Sequence, residues 1–230
     1  MEINMTRNRT TQLIFQSFYC ALGLVGIIAG FGIFEDYTNF RWDFYVHFTN
    51  ISNYFCIGIM LLELIQTAKK EVDDYVTVAP AVKFTGMLGI VLTFMVFNIL
   101  LAGAPGRDPQ ANWRIGSLLA HVVLPIMFVT DWVLFYEHKK VKWFYPFIST
   151  ALPATYIVFI FIHAAARGFD TSILIPGTTT PLIYPYFFLN LETQGVAGVL
   201  KWIVLLLIAF IVGGFIFFGI DKLIGKKNRY

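Results

Sequence analysis

The feature that most constrains this chain is a set of six long apolar segments. Each is long enough to cross a bilayer as a helix, which takes about 20 mostly apolar residues. The segments lie at 12–34, 44–66, 80–103, 115–136, 143–167 and 197–220. The sequence therefore predicts an all-α fold, with residues 1–230 forming a single transmembrane domain that is a bundle of six helices.

The composition agrees with a membrane protein and excludes several other classes. The chain is 57% hydrophobic and 13% charged, with a mean hydropathy of +0.69, whereas soluble domains carry about 25% charged residues. Its net charge of +3 is too small to indicate a nucleic-acid partner. Cys20 and Cys56 lie inside apolar segments, so they predict neither a disulfide framework nor a zinc site. We expect no cofactor.

Lysine and arginine near the helix ends predict the orientation, because cytoplasmic flanks carry an excess of these residues. One side holds twelve: Arg7, Arg9, Lys69, Lys70, Lys83, Lys139, Lys140, Lys142, Lys222, Lys226, Lys227 and Arg229. The other side holds five: Arg41, Arg107, Arg114, Arg167 and Lys201. We therefore expect both chain ends to lie in the cytoplasm (N-in, C-in). The basic run at 226–229 is expected to contact anionic lipid headgroups.

Several polar residues fall at a similar depth in different helices. With a rise of 1.5 Å per residue, Thr49 and His121 are predicted about 8 and 9 Å below the outer ends of helices two and four. Asn98 and His163 lie near the outer ends of helices three and five, and His47 lies slightly higher. Polar groups at membrane depth are costly unless they face the bundle interior or a watery cavity. The pattern predicts a polar chamber that opens to the outside.

The sequence also predicts the effect or the surroundings of three other residues. Pro125 cannot donate a backbone hydrogen bond, so it predicts a kink in helix four just below His121. Asp131 lies about 15 Å deeper than His121, and we expect it to pair with helix five or with a group on the cytoplasmic side. Glu63 is expected to be solvated at the inner surface.

The long external segment 168–196 precedes helix six. It contains no lysine or arginine, but it has several prolines and the run Tyr184-Pro185-Tyr186-Phe187-Phe188-Leu189-Asn190. An apolar, proline-bent segment is expected to fold onto the bundle as a lid over the chamber. The alternative is an aromatic belt at the membrane interface.

Three stretches resemble a known family. They are Phe48-Thr49-Asn50-Ile51-Ser52-Asn53, then His121 to Pro125 with Asp131-Trp132, and finally the Tyr-Pro-Tyr run. Together they resemble a bacterial family of predicted six-helix integral membrane proteins. That family is distantly similar to the androgen-induced-gene proteins of animals, which include the androgen-dependent regulator of tissue factor pathway inhibitor. The resemblance implies a multi-pass protein of the bacterial plasma membrane.

The resemblance also implies an activity. The animal proteins are described as threonine hydrolases that cleave fatty acid esters of hydroxy fatty acids with one intramembrane threonine and one histidine. Matching the motifs implies catalytic roles for Thr49 and His121. In the Tyr-Pro-Tyr stretch the bacterial family is expected to carry Pro and Asp where this chain has Phe187 and Asn190, which argues against a catalytic role for position 190.

The chemistry of these residue types fits an ester hydrolase. A threonine hydroxyl becomes nucleophilic when a neutral imidazole accepts its proton, and the resulting oxyanion needs hydrogen-bond donors. The candidates for oxyanion or substrate binding are Asn53, Asn98, His163, Tyr186 and Asn190. We therefore predict attack by Thr49 on a lipid ester, assisted by His121 and completed by water.

Two other functions are consistent with the same residues. A membrane protein that binds or transports lipids or small molecules without catalysis needs only the cavity. Thr49 would then be structural, because a threonine in a membrane helix often merely forms hydrogen bonds within its own helix or to a neighbouring one. A metal-dependent lipid hydrolase would place His47, His121 and His163 around zinc. The sequence indicates neither the substrate nor the oligomeric state.

Overall fold

The structure, a computed structural model, describes residues 8–30, 44–70, 76–104, 109–175 and 179–227. In this part of the chain six helices are long and apolar enough to cross a membrane, and no β-strand occurs. They are α1 (Arg9–Gly30), α2 (Phe48–Lys69), α3 (Pro80–Leu101), α4 (Ile115–Phe135), α5 (Tyr145–Ala166) and α6 (Leu191–Lys227). The prediction of six helices in this order is confirmed, and the fold is that of a multi-pass membrane protein.

The helix bounds differ from the predicted ones mainly at the two ends of the chain. Helix α1 begins at Arg9 rather than at residue 12, and 31–34 of the first predicted span lie outside the described residues. Helix α6 begins at Leu191, but its backbone leaves the helical conformation at Gly195, with φ 64° and ψ 169°. Glycine adopts this conformation without a steric penalty. The regular part of α6 therefore starts close to the predicted residue 197.

Contacts between helix ends define one end of the bundle, called the near end here. Arg9, at the start of α1, donates hydrogen bonds to the carbonyls of Thr67 (3.1 Å) and Ala68 (2.9 Å) at the end of α2. Asp221, near the end of α6, accepts a hydrogen bond from the backbone N–H of Lys139 at 2.9 Å. The start of α1 and the end of α6 both lie at the near end.

The opposite end, called the far end, contains the start of α2. There the Tyr156 hydroxyl of α5 donates to the Val46 carbonyl at 2.8 Å. Residues 182–189 cover this end, and Leu182, Phe188 and Leu189 are only 5%, 4% and 2% exposed. The prediction that the segment before α6 folds onto the bundle is confirmed, and residues 182–189 are called the lid.

Helix α4 is distorted where it carries His121. It widens from α- to π-helix around this residue, because Pro125 has no N–H to donate to the preceding turn. Neighbouring helices supply the missing donors: the Asn53 amide nitrogen donates to the Ala120 carbonyl at 3.0 Å, and the Asn98 amide nitrogen donates to the His121 carbonyl at 3.3 Å. The structure thus shows a disturbance of the helix next to Pro125, as a π-helical turn; the kink itself stays a prediction.

A buried cluster of charges joins three helices towards the near end. The Lys83 ammonium of α3 lies 2.6 Å from a Glu63 oxygen of α2 and 2.6 Å from an Asp131 oxygen of α4, and all three side chains are 1–2% exposed. The expectation that Glu63 is solvated was therefore wrong, because Glu63 faces the bundle. Asp131 pairs with Lys83 of α3, one of the twelve basic residues expected on the cytoplasmic side, and not with α5. We call these residues the Lys83 cluster.

Other donors complete the Lys83 cluster. Gln16 of α1 donates to the second Asp131 oxygen at 3.3 Å, and the backbone N–H of Val78 donates to the second Glu63 oxygen at 3.3 Å. The ammonium also lies 4.3 Å from the centre of the Phe128 ring, a cation–π distance. Four helices thus meet at one buried ionic site.

Candidate functional site

A cavity of about 60 Å³ lies at the far end, between α2, α3, α5, α6 and the lid. Twelve of its sixteen lining residues are apolar and none is charged. The four with a hydroxyl group are Thr49, Thr93, Tyr156 and Tyr186. Apolar pockets with a few convergent polar groups are typical ligand sites, and this wall suits a hydrocarbon chain.

Thr49 occupies the second position of α2 and is 8% exposed. The first backbone N–H groups of a helix have no partner within it. Here the Thr49 N–H donates to the Tyr186 hydroxyl oxygen of the lid at 3.4 Å. The start of α2 therefore brings Thr49 and Tyr186 together in the cavity wall.

The other hydroxyl groups of the wall are engaged differently. Thr93 Oγ1 shares a hydrogen bond with Ser52 Oγ at 2.7 Å, and Tyr156 donates its proton to the Val46 carbonyl at 2.8 Å. Tyr186 accepts the Thr49 backbone N–H at its oxygen, and its hydroxyl also hydrogen-bonds the Thr49 side chain. Burial raises the pKa of Tyr186, and its hydrogen bonds with Thr49 offset only part of that. This hydroxyl is therefore a donor at neutral pH.

His121 adopts a defined tautomer. Its Nδ1 lies 2.9 Å from the Ser117 carbonyl oxygen and 3.2 Å from the Ser117 hydroxyl. Because a carbonyl oxygen can only accept, Nδ1 carries the proton and Nε2 is the basic nitrogen. A neutral imidazole in this tautomer has the property required of a general base.

His121 and Thr49 lie on adjoining turns, but a ring intervenes on the cavity side. The Asn53 amide nitrogen bridges the carbonyls of Thr49 (2.8 Å) and Ala120 (3.0 Å). The imidazole stacks on Phe97, with ring centres 3.5 Å apart and planes 10° apart. Phe97 lines the cavity and His121 does not. The structure places the predicted pair near each other without placing both in the cavity wall.

The amides predicted to bind an oxyanion have another role. Both hydrogens of the Asn53 amide are used, on the carbonyls of Thr49 and Ala120. The Asn98 amide likewise donates to Phe94 (2.8 Å) and to His121 (3.3 Å). An amide nitrogen has two hydrogens, so neither side chain has one left for an oxyanion. They bond carbonyls in the distorted part of α4 instead.

Asn190 also has a structural position. Its side-chain oxygen accepts hydrogen bonds from the backbone N–H groups of Glu192 (2.9 Å) and Thr193 (3.3 Å). This is the geometry of a helix N-cap. Asn190 therefore begins α6 and does not line the cavity.

The three histidines predicted near the outer surface lie in different surroundings. His163 packs against the rings of Tyr45 (5.8 Å) and Phe159 (6.1 Å). His47 meets the Tyr186 ring edge-on at 6.2 Å, and His121 lies behind Phe97. Among the described residues no three His, Cys, Asp or Glu side chains are placed to hold a metal ion. The cavity wall is mainly apolar, unlike the predicted polar chamber. The described residues around it contain no ligand set for the zinc interpretation.

The Lys83 cluster was not predicted from the sequence, although the depth of its three residues below the helix ends could have indicated it. Glu63 lies six residues before the end of α2, Lys83 three residues after the start of α3, and Asp131 four residues before the end of α4. These positions are about 5–9 Å inside the near end. Lys83 was instead counted among the charges that flank the spans, because lysine near a helix end usually lies at the membrane surface.

Together the fold and the cavity define a multi-pass membrane protein with an apolar, lid-covered cavity at one end of a six-helix bundle. No family model, no curated protein and no solved structure matches the chain.

Proposed function

We propose that this protein hydrolyses a fatty acid ester dissolved in the membrane, with Thr49 as the nucleophile. The observation that supports this most is the position of Thr49 in the wall of an apolar cavity, beside the Tyr186 hydroxyl. The apolar wall suits an acyl chain, and the ester carbonyl then meets the polar atoms at the start of α2. The motif resemblance favours the same threonine.

The proposed reaction has two steps. Thr49 Oγ attacks the ester carbonyl carbon while its proton passes to Nε2 of His121, and the Tyr186 hydroxyl donates to the oxyanion. The bond from carbon to the alcohol oxygen breaks, and the alcohol leaves with that proton. Water, deprotonated by His121, then attacks the acyl-threonine. The products are a fatty acid, an alcohol and regenerated Thr49. Proton transfer to His121 requires the Phe97 ring to turn out of its stack.

The nucleophile can be tested with a fluorophosphonate that labels activated hydroxyls. We expect Thr49→Ala to abolish labelling and ester hydrolysis in vesicles, and Thr49→Ser to retain both. Thr93→Ala is the matched control, because Thr93 also lines the cavity but shares its hydroxyl with Ser52. Labelling that persists in Thr49→Ala would exclude the proposed nucleophile.

The proposed base is tested by His121→Ala. This variant should lower the turnover number about 10²–10⁴-fold, as for loss of a general base.

A second candidate is lipid binding without catalysis. The stack of Phe97 on His121 favours it, because the imidazole does not reach the cavity wall. In this case wild type and Thr49→Ala bind a fatty acid equally well, and neither shows turnover under any condition. Turnover in wild type that is lost in Thr49→Ala would exclude this candidate.

We further propose that the near end faces the cytoplasm of a bacterium and that the protein lies in its plasma membrane. Lys83 is buried, so it does not count as a flanking charge; the twelve basic residues of that side become eleven, against five on the other. Lys226, Lys227 and Arg229 have side chains outside the described part, so their lipid contacts stay a prediction.

The orientation is tested with a thiol reagent that does not cross the membrane. Lys140→Cys, at an exposed position of the near end, should react only when the reagent is on the cytoplasmic side, and Ser172→Cys only when it is on the outer side. The reverse pattern would refute the orientation.

A further inference from the structure

The backbones of helices α5 and α6 approach each other most closely near the start of α5. Near the start of α5, Pro146 lies against Gly214 of α6: a Cβ atom on residue 214 would be 2.8 Å from the Pro146 Cβ. Beyond this point the long part of α5, Ala151–Ala166, makes few close approaches to α6. The backbones of the two helices therefore diverge towards the far end, and the space between their side chains beside the cavity is called the gap here.

The gap leads to the cavity. Pro153 and Ile157 of α5 and Ile203 and Leu207 of α6 all line the cavity. Ile157, Ile203 and Leu207 are partly exposed, so the wall on this side also borders the surroundings of the bundle. All four side chains are apolar. A hydrocarbon chain can therefore pass between them without removing any polar group from water.

The far end of the cavity is closed. Leu182, Phe188 and Leu189 of the lid are 5%, 4% and 2% exposed. Phe187 and Phe188 also pack on Trp202 of α6, with ring centres 5.6 and 5.9 Å apart. A ligand arriving from the water at this end would have to displace a packed apolar segment and expose it.

We propose that the ligand of the cavity enters sideways from the hydrocarbon of the membrane, through the gap between α5 and α6. The ligand class is therefore an acyl lipid that is already dissolved in the bilayer, rather than a water-soluble ester. This inference rests on the proposed function only in taking the cavity as the ligand site. It holds equally for a hydrolase and for a lipid-binding protein.

The test uses a diazirine-bearing fatty acid in phosphatidylcholine vesicles, mixed with the reconstituted full-length protein and irradiated by a flash at set times. Labelled peptides are identified by mass spectrometry. Ile157→Trp, which narrows the gap, should slow labelling of the cavity peptides about tenfold, as expected when access becomes limiting. The matched control is Val158→Trp, since Val158 is 59% exposed and does not line the cavity; its labelling rate should match wild type.

Two further variants distinguish entry through the gap from entry at the far end. Leu207→Trp narrows the gap from α6 and should act as Ile157→Trp does, with unchanged thermal unfolding as the check on folding. Leu182→Ala loosens the lid at a residue that does not line the cavity and should leave the rate unchanged. Faster labelling in Leu182→Ala, with unchanged rates in both gap variants, would overturn the side entrance in favour of the far end.

Photolabelling requires no turnover, so the two proposals can fail separately. Normal labelling without ester hydrolysis would contradict the hydrolase and leave the side entrance standing. Hydrolysis that depends on Thr49 but is insensitive to both gap variants would contradict the side entrance and leave the hydrolase standing. Absence of cavity labelling in wild type would overturn the cavity as an acyl-lipid site.

Discussion

At the scale of single residues, the two tyrosines of the cavity wall offer a matched comparison. Tyr156 donates its proton to the Val46 carbonyl, whereas the Tyr186 hydroxyl lies beside Thr49. In the proposed mechanism Tyr186→Phe removes an oxyanion donor and should lower the turnover number about 10²–10³-fold. Tyr156→Phe should keep the turnover number and lose about 1 kcal/mol of stability with its hydrogen bond. Ester hydrolysis and thermal unfolding separate the two effects. Equal turnover in both variants would contradict the role of Tyr186.

The Lys83 cluster carries a residue-scale prediction about stability. Lys83→Met leaves two buried carboxyl groups without their cation, and removing one partner from a buried ion pair costs about 3–5 kcal/mol. Unfolding in detergent should show this loss. The triple variant Lys83→Met, Glu63→Gln, Asp131→Asn should recover most of it, because no buried charge then lacks a partner. A single variant as stable as wild type would contradict the observed ion pairs.

Residue types alone could not settle which of these side chains faced the bundle. Glu63 lies within reach of the inner surface by depth, so solvation was a reasonable expectation. Its actual environment depends on the rotation of α2 and on the approach of α3, which brings the Lys83 ammonium to 2.6 Å. The same packing determines the partners of Asn53 and Asn98, whose amide hydrogens bond carbonyls on another helix as well as on their own.

At the scale of elements, helix α4 shows how one residue reshapes its neighbours. Pro125 removes one backbone donor, and Asn53 and Asn98 reach across from α2 and α3 to the carbonyls that lack one. A disturbance of the helix here was predictable, because it follows from the covalent structure of proline. The two asparagines that stabilise it were not, because their role depends on which helices pack against α4.

A double-mutant cycle tests this explanation. In the wild-type background Asn98→Ala leaves the His121 carbonyl without the amide, and we expect a loss of about 1–3 kcal/mol in stability. In a Pro125→Ala background a new backbone N–H can reach that carbonyl, so the same substitution should cost much less. The measurement is the free energy of unfolding in detergent for the four proteins. Additive effects would show that Asn98 does not compensate for the proline.

At the scale of the whole molecule, the joint between α5 and α6 depends on one glycine of an adjacent pair. A Cβ at Gly214 would lie 2.8 Å from the Cβ and 3.1 Å from the Cα of Pro146, whereas a Cβ at Gly213 meets nothing within 4 Å. Gly214→Ala should therefore destabilise the protein by about 1–3 kcal/mol through overpacking. Gly213→Ala should be neutral or slightly stabilising, since alanine favours the helix. Thermal unfolding of both variants checks this, and equal effects would contradict the close approach.

The six spans, their order, the disturbance of α4 near Pro125 and the folding of the segment before α6 onto the bundle follow from the sequence by itself. Each depends on a local property, either the length of an apolar run, which must match the thickness of a bilayer, or the chemistry of single residues such as proline. The apolar wall of the cavity, the Lys83 cluster and the stack of Phe97 on His121 were decided only by the tertiary structure. They depend on how each helix is rotated and tilted against its neighbours, and those angles are set by packing between residues far apart in the chain.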